Sequence, residues 1–384
     1  MSNWVIGILA WLNYQITRLL NYQILNMGNQ LKVLYVAYPL LTVSESSAGG
    51  AEQVLWTLER EMARRGAVTS VAASAGSRVS GELFGTGEPC WRADDFERRN
   101  REHQDAIIKL VRQRTLEGRP FDLVHDMSGS FWTRAADIDI PVLATVHLPR
   151  HFYPAAQFEN VPDNVTFNCV SQSQARSFSG MKQLAAVVPN GIALDRFLPG
   201  HGERNGLLWL GRICEEKGPH LALDIAQQAG FPIVVAGQVY PFSYHQQFFT
   251  REVEPRLRRN ANATWISCPS DELKRKLLRE SAALLITSQV DETSSLVAME
   301  AAASGTPVVA FRRGALPEVV KNGITGFLVE DMDQAVKALQ ELESISCEDC
   351  AHYAQRHFSS AKMADDYQRL YSLLMHRQEL LNAA

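Results

Sequence analysis

The chain has 384 residues, of which 46% are hydrophobic and 21% charged, and its formal net charge is −4. This composition excludes a disordered chain and predicts a globular protein of two domains, and the acidic balance makes nucleic acid an unexpected partner. The six cysteines are scattered, which favours a reducing, cytoplasmic compartment over a secreted disulfide scaffold.

The first feature in chain order is an apolar run from Trp4 to Leu12. It is nine residues long, whereas a membrane-spanning helix needs about 20. No basic residue precedes the run, as one would in a secretory signal. We interpret residues 1–26 as a non-native or disordered extension before a true start at Met27. The alternative is an interfacial anchor that makes peripheral contact with the inner face of a membrane.

Apolar runs alternate with helical patterns from residue 31 onward. The run at 33–37 predicts a strand, and apolar residues at helical spacing between Val54 and Met62 predict the helix after it. Later runs lack two-residue alternation, which is typical of parallel strands buried on both faces. These runs lie at residues 68–71, 123–125, 141–146, 167–170 and 185–188.

A polar stretch rich in glycine and proline between Asp195 and Gly206 is typical of a linker. The alternation then restarts, with predicted strands at residues 207–210, 233–236, 264–266, 284–287, 307–311 and 326–329. The chain is therefore predicted to be an α/β protein of two Rossmann-like domains, 27–200 and 201–360, whose doubly wound parallel sheets face a central cleft. Residues 361–384 are predicted to form an amphipathic helix that packs on one of the domains.

Two cations follow the first strand of the second domain. Arg212 comes directly after the strand, and Lys217 lies where the next helix begins. Cations beside the positive end of a helix suit a diphosphate. A pair of unrelated surface cations is the alternative, and Cys214 between them is interpreted as a packing residue.

Two carboxylates border a helix whose other residues are mostly small and apolar. Glu292 precedes this helix and Glu300 lies within it. A carboxylate on a closely packed helix needs a specific partner, so Glu300 is a candidate binding residue, whereas a solvated charge remains the alternative for Glu292. The amides of Leu296 and Val297 in the first turn are free donors for phosphate oxygens.

The first domain offers weaker signals. Gly49 and Gly50 open its first helix and allow close approach of a ligand, but they lack the spacing of a dinucleotide fingerprint. His147 and His125 each follow a predicted strand. A histidine at a strand end is as often a structural hydrogen-bonding residue as a catalyst.

Five motifs in this order resemble those of the retaining glycosyltransferases of family 4, which have the GT-B fold. They are Gly49-Gly50, Pro189-Asn190-Gly191, Gly211-Arg212 with Lys217-Gly218, the pair Glu292 and Glu300, and Gly305-Thr306-Pro307-Val308-Val309. The resemblance covers about residues 31–376 and is strongest from 187 to 330. It implies that the C-terminal helix crosses back to the first domain.

The resemblance also implies roles for individual residues. Arg212 and Lys217 would hold the diphosphate and stabilise it as the leaving group, Glu300 would hold the ribose and Glu292 the sugar. From the first domain, the glycine pair would lie near the phosphates and His147 near the sugar. The chain departs from the family pattern at Ser294-Ser295, where an aromatic residue or proline and then glycine are common, so the sugar subsite is expected to differ.

The function implied is a retaining hexosyltransferase that uses a nucleotide-diphosphate sugar as co-substrate, a UDP-sugar before a GDP-sugar. The acceptor, a glycan, lipid or small metabolite, would contact first-domain loops at residues 38–47, 78–98 and 151–161. No cofactor is expected. No metal is expected either, because fixed cations and helix amides can stabilise a leaving diphosphate.

Three motifs that resemble metal sites have simpler interpretations. Asp137-Ile138-Asp139 is interpreted as a turn, and Asp331 as a helix cap. Cys347 and Cys350 lack a second pair of ligands, so we interpret them as helix residues, one of them facing inward. A nucleotide-sugar epimerase and a non-catalytic nucleotide-sugar-binding protein are the alternative functions.

Overall fold

The computed structural model describes residues 30–90, 93–200 and 204–382. Its strands form two wholly parallel sheets, which confirms the predicted fold class. The predicted extension at residues 1–26 and positions 201–203 of the predicted linker lie outside the described residues. Within those ranges, no helix combines the length and the apolar character needed to cross a bilayer.

The first sheet has seven strands in the order β3-β2-β1-β4-β5-β6-β7. These strands are β1 (Lys32–Val36), β2 (Val68–Ala73), β3 (Glu82–Gly85), β4 (Leu123–Asp126), β5 (Val142–Val146), β6 (Val165–Cys169) and β7 (Leu184–Val187). From β1 the chain first adds strands on one side and then returns to add β4 on the other. The carboxyl ends of β1 and β4 therefore form the switch point of this sheet.

The second sheet has six strands in the order β10-β9-β8-β11-β12-β13. They are β8 (Leu207–Leu210), β9 (Ile233–Ala236), β10 (Ala263–Ile266), β11 (Ala283–Ile286), β12 (Val308–Phe311) and β13 (Gly326–Val329). The winding direction reverses between β8 and β11, which places the second switch point there. We call the two sheets with their helices the first and second lobes.

Helices connect the strands and cover the sheets. The first lobe has α1 (Gly50–Arg64), α2 (Ala93–Leu116) and α3 (Gln172–Ser177). The second lobe has α4 (Pro219–Ala229), α5 (Ser243–Phe248), α6 (Glu254–Arg259), α7 (Asp271–Glu280), α8 (Leu296–Ala303), α9 (Leu316–Val319), α10 (Met332–Gln340) and α11 (Cys347–His357). The last helix is α12 (Ser360–Asn382). As predicted, Asp331 caps α10, where its carboxylate accepts a hydrogen bond from the amide of Gln334.

Helix α12 packs on the first lobe although it follows the second in sequence. Its side chains from Met363 to Leu374 share a buried core with β1 and α1. At one edge of this contact, Arg65, which directly follows α1, pairs with Asp365 of α12 at 2.6 Å. The end of the chain therefore ties the second lobe to the first.

The lobes also meet at the start of α3. The carboxylate of Glu318 in α9 accepts hydrogen bonds from the backbone amides of Gln172 at 2.8 Å and Ser173 at 2.6 Å. The first amides of a helix have no acceptor inside it. A carboxylate from the second lobe thus caps a helix of the first.

One region differs from its sequence-based interpretation. Residues 78–98, for which the sequence predicts a loop, contain strand β3 and the beginning of α2. Strand β3 is a short edge strand with no fully buried residue, and the first turns of α2 are mostly polar. Neither element therefore has the apolar pattern on which the sequence interpretation depended.

Candidate functional site

The candidate site lies where the carboxyl ends of β8 and β11 meet. These strands are neighbours in the sheet, and the chain leaves them in opposite directions at the switch point. Ligands of open parallel sheets bind at such points, because the diverging loops leave a crevice. Lys217 lies in the loop after β8 and Glu292 in the loop after β11.

The structure brings Lys217 and Glu292 into direct contact. The Nζ atom of Lys217 lies 2.6 Å from Oε1 and 2.8 Å from Oε2 of Glu292, so the ammonium group contacts both carboxylate oxygens. The side chains are 33% and 11% exposed. Glu292 also accepts a hydrogen bond from the hydroxyl of Ser288. The carboxylate is thus held in place by two groups at the mouth of the crevice.

Close backbone packing sets the position of Lys217. Gly218, the next residue, has a φ of +67°, a conformation that glycine adopts at no steric cost. A Cβ atom there would lie 2.2 Å from the carbonyl oxygen of Thr287. The Thr287 hydroxyl also donates to the carbonyl of Gly218 at 2.7 Å. The two loops are therefore clamped together directly behind the ion pair.

Arg212 lies on the same crevice and stacks on an aromatic ring. Its guanidinium carbon is 5.7 Å from the ring centre of Tyr240, within the range of a cation–π interaction. Burial raises the pKa of Tyr240; Arg212 opposes this rise and Glu52 of the first lobe adds to it. Arg212 is therefore held against an aromatic ring just beyond the carboxyl end of β8.

Glu300 is buried in the middle of α8 and has a cationic partner. Its side chain is 5% exposed, and Oε1 lies 2.9 Å from the Nζ of Lys274 in α7. The ammonium of Lys274 lies 5.6 Å from the ring centre of Phe197. Glu300 also lines the cleft between the lobes, together with Trp56 of α1. The expectation that this carboxylate has a specific partner is met by a lysine that the sequence did not indicate.

The first turn of α1 in the first lobe faces the first turn of α8 in the second lobe. A Cβ atom on Gly50 would lie 3.7 Å from a methyl carbon of Leu296. At Gly49 a Cβ would lie 1.9 Å from the carboxylate of Glu52, so a side chain there would displace that group. Glu52 is 5% exposed, and burial raises its pKa to about 7. Glu52 is therefore a buried acid beside the cleft. It belongs to the same sequence motif as Gly49 and Gly50, but the sequence alone does not indicate a role for it.

The amides of Leu296 and Val297 lie in the first turn of α8, whose N-cap residue is Ser295. The Ser295 hydroxyl makes no capping hydrogen bond. First-turn amides lack acceptors within their own helix. This end of α8, on the same crevice, is therefore suited to an anionic ligand.

His147 reaches the site from the first lobe, directly after β5. Burial lowers the pKa of its imidazole to about 4, and its Nε2 atom is buried with no hydrogen-bond partner. The Thr293 hydroxyl, next to Glu292, donates to the main-chain carbonyl of His147 at 2.8 Å. The histidine is thus attached to the loop that carries Glu292, and it has a free nitrogen.

His125 belongs to a different environment. It is fully buried, with Nδ1 2.6 Å from the hydroxyl of Tyr371 and Nε2 2.7 Å from that of Thr145. Both ring nitrogens are therefore occupied, Nδ1 by Tyr371 of α12 and Nε2 by Thr145 of β5, so His125 joins α12 to the first sheet. Of the two strand-end histidines, only His147 lies at the crevice.

The residues that the sequence did not indicate contact the predicted site residues and hold them in position. Ser288 and Lys274 hold Glu292 and Glu300, Tyr240 supports Arg212, and Thr293 joins the lobes at His147. Each contact depends on which strands are neighbours, which a single sequence does not specify. Glu52 alone had a local signal, since it completes the Gly49-Gly50-Ala51-Glu52 motif.

Two family models match adjoining parts of the chain. The model described as Glycosyltransferase Family 4 matches residues 48–196, and the model described as Glycosyl transferases group 1 matches residues 194–357. Together they cover most of both lobes, from residue 48 to residue 357, and include every residue of the candidate site.

Among curated proteins, the chain is similar to two D-inositol 3-phosphate glycosyltransferases. That of Mycolicibacterium paratuberculosis is 32% identical over 170 residues, 41% of this chain and 38% of the relative. That of Streptomyces bingchenggensis is 26% identical over 295 residues, 62% of this chain and 63% of the relative. The matched part thus spans less than two thirds of either relative's length.

Solved structures show the same fold at low identity. A glycosyltransferase of avilamycin A biosynthesis superposes with a TM-score of 0.68 at 22% identity, covering 90% of this chain and 98% of the other. An Anabaena protein in complex with UDP and glucose has a TM-score of 0.69 at 14% identity, covering 89% and 100%. At these identities, the two comparisons show that the fold is shared.

Proposed function

Because this chain belongs to family 4 of the glycosyltransferases, with the GT-B fold, we propose that it transfers a sugar from a nucleoside diphosphate to an acceptor hydroxyl. The observation that carries this proposal is the contact between Lys217 and Glu292 at the switch point of the second lobe. It places an ammonium group and a carboxylate side by side in the loops that lead from β8 and β11, the second of which runs into α8, whose first amides have no acceptor within the helix. A diphosphate needs the first group, and a sugar hydroxyl can donate to the second.

The departing diphosphate gains negative charge as the glycosidic bond breaks. Preorganised cations and amides stabilise such charge best, because they need no reorganisation during the reaction. We assign this role to Arg212, Lys217 and the amides of Leu296 and Val297. Binding of the diphosphate at Lys217 would compete with Glu292 for the ammonium group, and Glu292 would then be available to the hydroxyls of the sugar.

The remaining contacts define the donor. Glu300, oriented by Lys274, is proposed to accept hydrogen bonds from the ribose hydroxyls. His147 is proposed to contact the sugar through Nε2. Its lowered pKa keeps the imidazole neutral at pH 7, so it can hydrogen-bond to a hydroxyl without adding positive charge beside the reacting carbon. Gly50, which faces Leu296, and Gly49 are proposed to leave room for the phosphates.

We propose UDP as the preferred nucleotide, GDP as the second choice, and transfer with retention of configuration without a metal or cofactor. The Anabaena structure that contains UDP supports the first point; the cations of the site support metal independence. Ser294-Ser295 is proposed to shape the sugar subsite. The names of the curated relatives make an inositol phosphate the first acceptor to test, with glycans, lipids and other small metabolites after it. Cytoplasmic action, with peripheral membrane contact if the acceptor is a lipid, belongs to the same proposal.

The test begins with binding. Thermal unfolding of the full chain is measured with UDP-sugars, GDP-sugars and ADP-sugars, and the stabilising donor is then offered to an acceptor panel. We expect one UDP-sugar to raise the unfolding temperature, as any ligand specific for the native state does. The variant Glu300→Gln should show a smaller rise with the same donor. If no nucleotide sugar stabilises the chain, the proposal is wrong; stabilisation without transfer or hydrolysis would indicate a binding protein, and conversion of the donor's sugar an epimerase.

A further inference from the structure

A second cluster of reactive side chains lies beside the diphosphate crevice. Cys214, Glu216 and His245 each offer one ligand atom, and these atoms all lie within 4.8 Å of one another. Among the described residues, this is the one group of three or more His, Cys, Asp or Glu side chains with such spacing. Cys214 and His245 are completely buried. Two elements bring the group together: the loop after β8 carries the first two residues, and α5 carries the histidine.

The imidazole ring of the histidine in this cluster makes no hydrogen bond. Neither Nδ1 nor Nε2 of His245 has a hydrogen-bond partner, although both atoms are buried. The Oε2 atom of Glu216 is likewise buried and without a hydrogen-bond partner. Buried polar atoms in proteins are nearly always satisfied, so exceptions require an explanation. Aromatic rings enclose the imidazole; the ring centre of Tyr244 lies 4.2 Å away and that of Phe242 5.4 Å away. Aromatic packing fixes the ring but leaves its nitrogens unpaired.

The three donor atoms have the chemistry of a transition-metal site. A thiolate, an imidazole nitrogen and a carboxylate oxygen are the ligands that Zn²⁺ takes in proteins. Tetrahedral bonds of about 2.0 to 2.3 Å place neighbouring ligand atoms about 3.6 Å apart, so side-chain movements of about 1 Å would close the site. We propose that Cys214, Glu216 and His245 bind a thiophilic divalent cation, for which Zn²⁺ is the best match, with a fourth position open to water.

The charges around the cluster permit a dication. Burial raises the pKa of Cys214, and the neighbouring Arg212 opposes this rise. The thiol donates a weak hydrogen bond to the carbonyl of Arg212 at 3.5 Å. On binding, the metal would replace the thiol proton, which leaves to solvent, as zinc does at other cysteine sites. The thiolate and the Glu216 carboxylate then supply two negative charges to balance the ion, and Arg212 remains free to stack on Tyr240.

The position of the cluster gives the ion a structural effect. Cys214 and Glu216 lie between Arg212 and Lys217 in the same loop, whereas His245 belongs to the next crossover. An ion shared by these residues would fix the loop that presents both cations. The proposal concerns metal binding alone and does not depend on sugar transfer.

The experiment uses Co²⁺ as a spectroscopic substitute for Zn²⁺, added to the full reduced chain. Thiolate ligation to Co²⁺ produces a charge-transfer absorption band, and Zn²⁺ should displace the ion and remove the band. We expect one equivalent of Co²⁺ to give this band in the native chain. Cys214→Ser should abolish it, and His245→Gln, which removes a direct ligand, should weaken Co²⁺ binding by at least about 100-fold, the upper range for loss of an outer-shell partner. The matched control is Cys268→Ser, which alters an exposed cysteine and should leave the band unchanged.

Circular dichroism shows which variants are folded, and Glu216→Gln provides a further test if Cys214→Ser does not fold. The absence of a thiolate band in the native chain would overturn the proposal. A band that survives in Cys214→Ser would do the same, because it would place the ion at another cysteine. Binding that is equally tight in folded His245→Gln and Glu216→Gln would show that the three residues do not act together.

Discussion

Replacement of Lys217 by alanine tests the centre of the proposed site. The change removes the ammonium group that contacts both oxygens of Glu292. The carboxylate, 11% exposed, would keep the Ser288 hydroxyl but lose its charged partner. Breaking a buried ion pair costs about 3–5 kcal/mol and losing a surface pair about 0–1 kcal/mol. Because Lys217 is itself 33% exposed, we expect a loss of about 2 kcal/mol in the free energy of unfolding.

The effect on turnover should be larger than the effect on stability. Removing one preorganised group that stabilises a developing negative charge lowers kcat by about 100- to 1000-fold, or about 3–4 kcal/mol. Glu292→Gln keeps the lysine and should lower turnover through the sugar contact instead. The two variants therefore separate the contribution of the diphosphate from that of the sugar, since only Lys217→Ala should weaken binding of the free nucleoside diphosphate.

The assay measures release of nucleoside diphosphate from the donor that stabilises the chain best, with urea unfolding of the same samples. Lys276→Ala is the matched control, because Lys276 is an exposed lysine of α7, and its turnover should be unchanged. Turnover of Lys217→Ala within about threefold of the native value would refute the reasoning, given the 100-fold loss expected. So would a similar loss in the control variant.

Three further predictions concern other parts of the molecule. Glu300→Gln removes the charge facing Lys274 and one proposed ribose contact, and calorimetry should show about tenfold weaker UDP binding, a cost typical of a hydrogen bond to a charged group; equal UDP affinity would remove Glu300 from the site. Tyr371→Phe leaves Nδ1 of buried His125 without its partner, and urea unfolding should show a loss of about 1–3 kcal/mol; unchanged stability would contradict this network. Because burial raises the pKa of Glu52 from 4.5 to about 7, the native state binds the proton more tightly than the unfolded state, so stability should fall as the pH rises from 4.5 to about 7. Over that window the native chain should lose about 3 kcal/mol more than Glu52→Gln, and parallel stability profiles would show that Glu52 does not titrate there.

The fold could be predicted from the sequence because each central strand is marked by a continuous run of apolar residues. Continuous apolar runs identified the central strands, and those at 33–37 and 207–210 match β1 and β8 within one residue. The signal failed for β3 and for the beginning of α2, which carry few buried side chains. Polar edge elements are determined by the neighbours on which they pack, and one sequence does not reveal those neighbours.

The candidate site was predictable as a set of positions but not as a set of contacts. Lys217 and Glu292 were singled out separately by their places after strands. Their pairing across 75 positions depends on β8 and β11 being neighbours, which is a property of the strand order. The partnership of Lys274 with Glu300 depends in the same way on α7 lying against α8. The two cysteines of the CxxC motif matched their interpretation, since Cys350 is buried and Cys347 is partly exposed.

The hydrogen bonds between Glu318 and the start of α3 couple the separation of the two lobes to the stability of that helix. When the lobes are in contact, the Glu318 carboxylate of the second lobe is the acceptor for the amides of Gln172 and Ser173. If the lobes move apart, those amides must turn to water, and a helix of six residues loses part of its stabilisation. Separation of the lobes would therefore loosen a helix turn as well as widen the cleft, so amide hydrogen exchange at Gln172 and Ser173 would report how often the lobes separate.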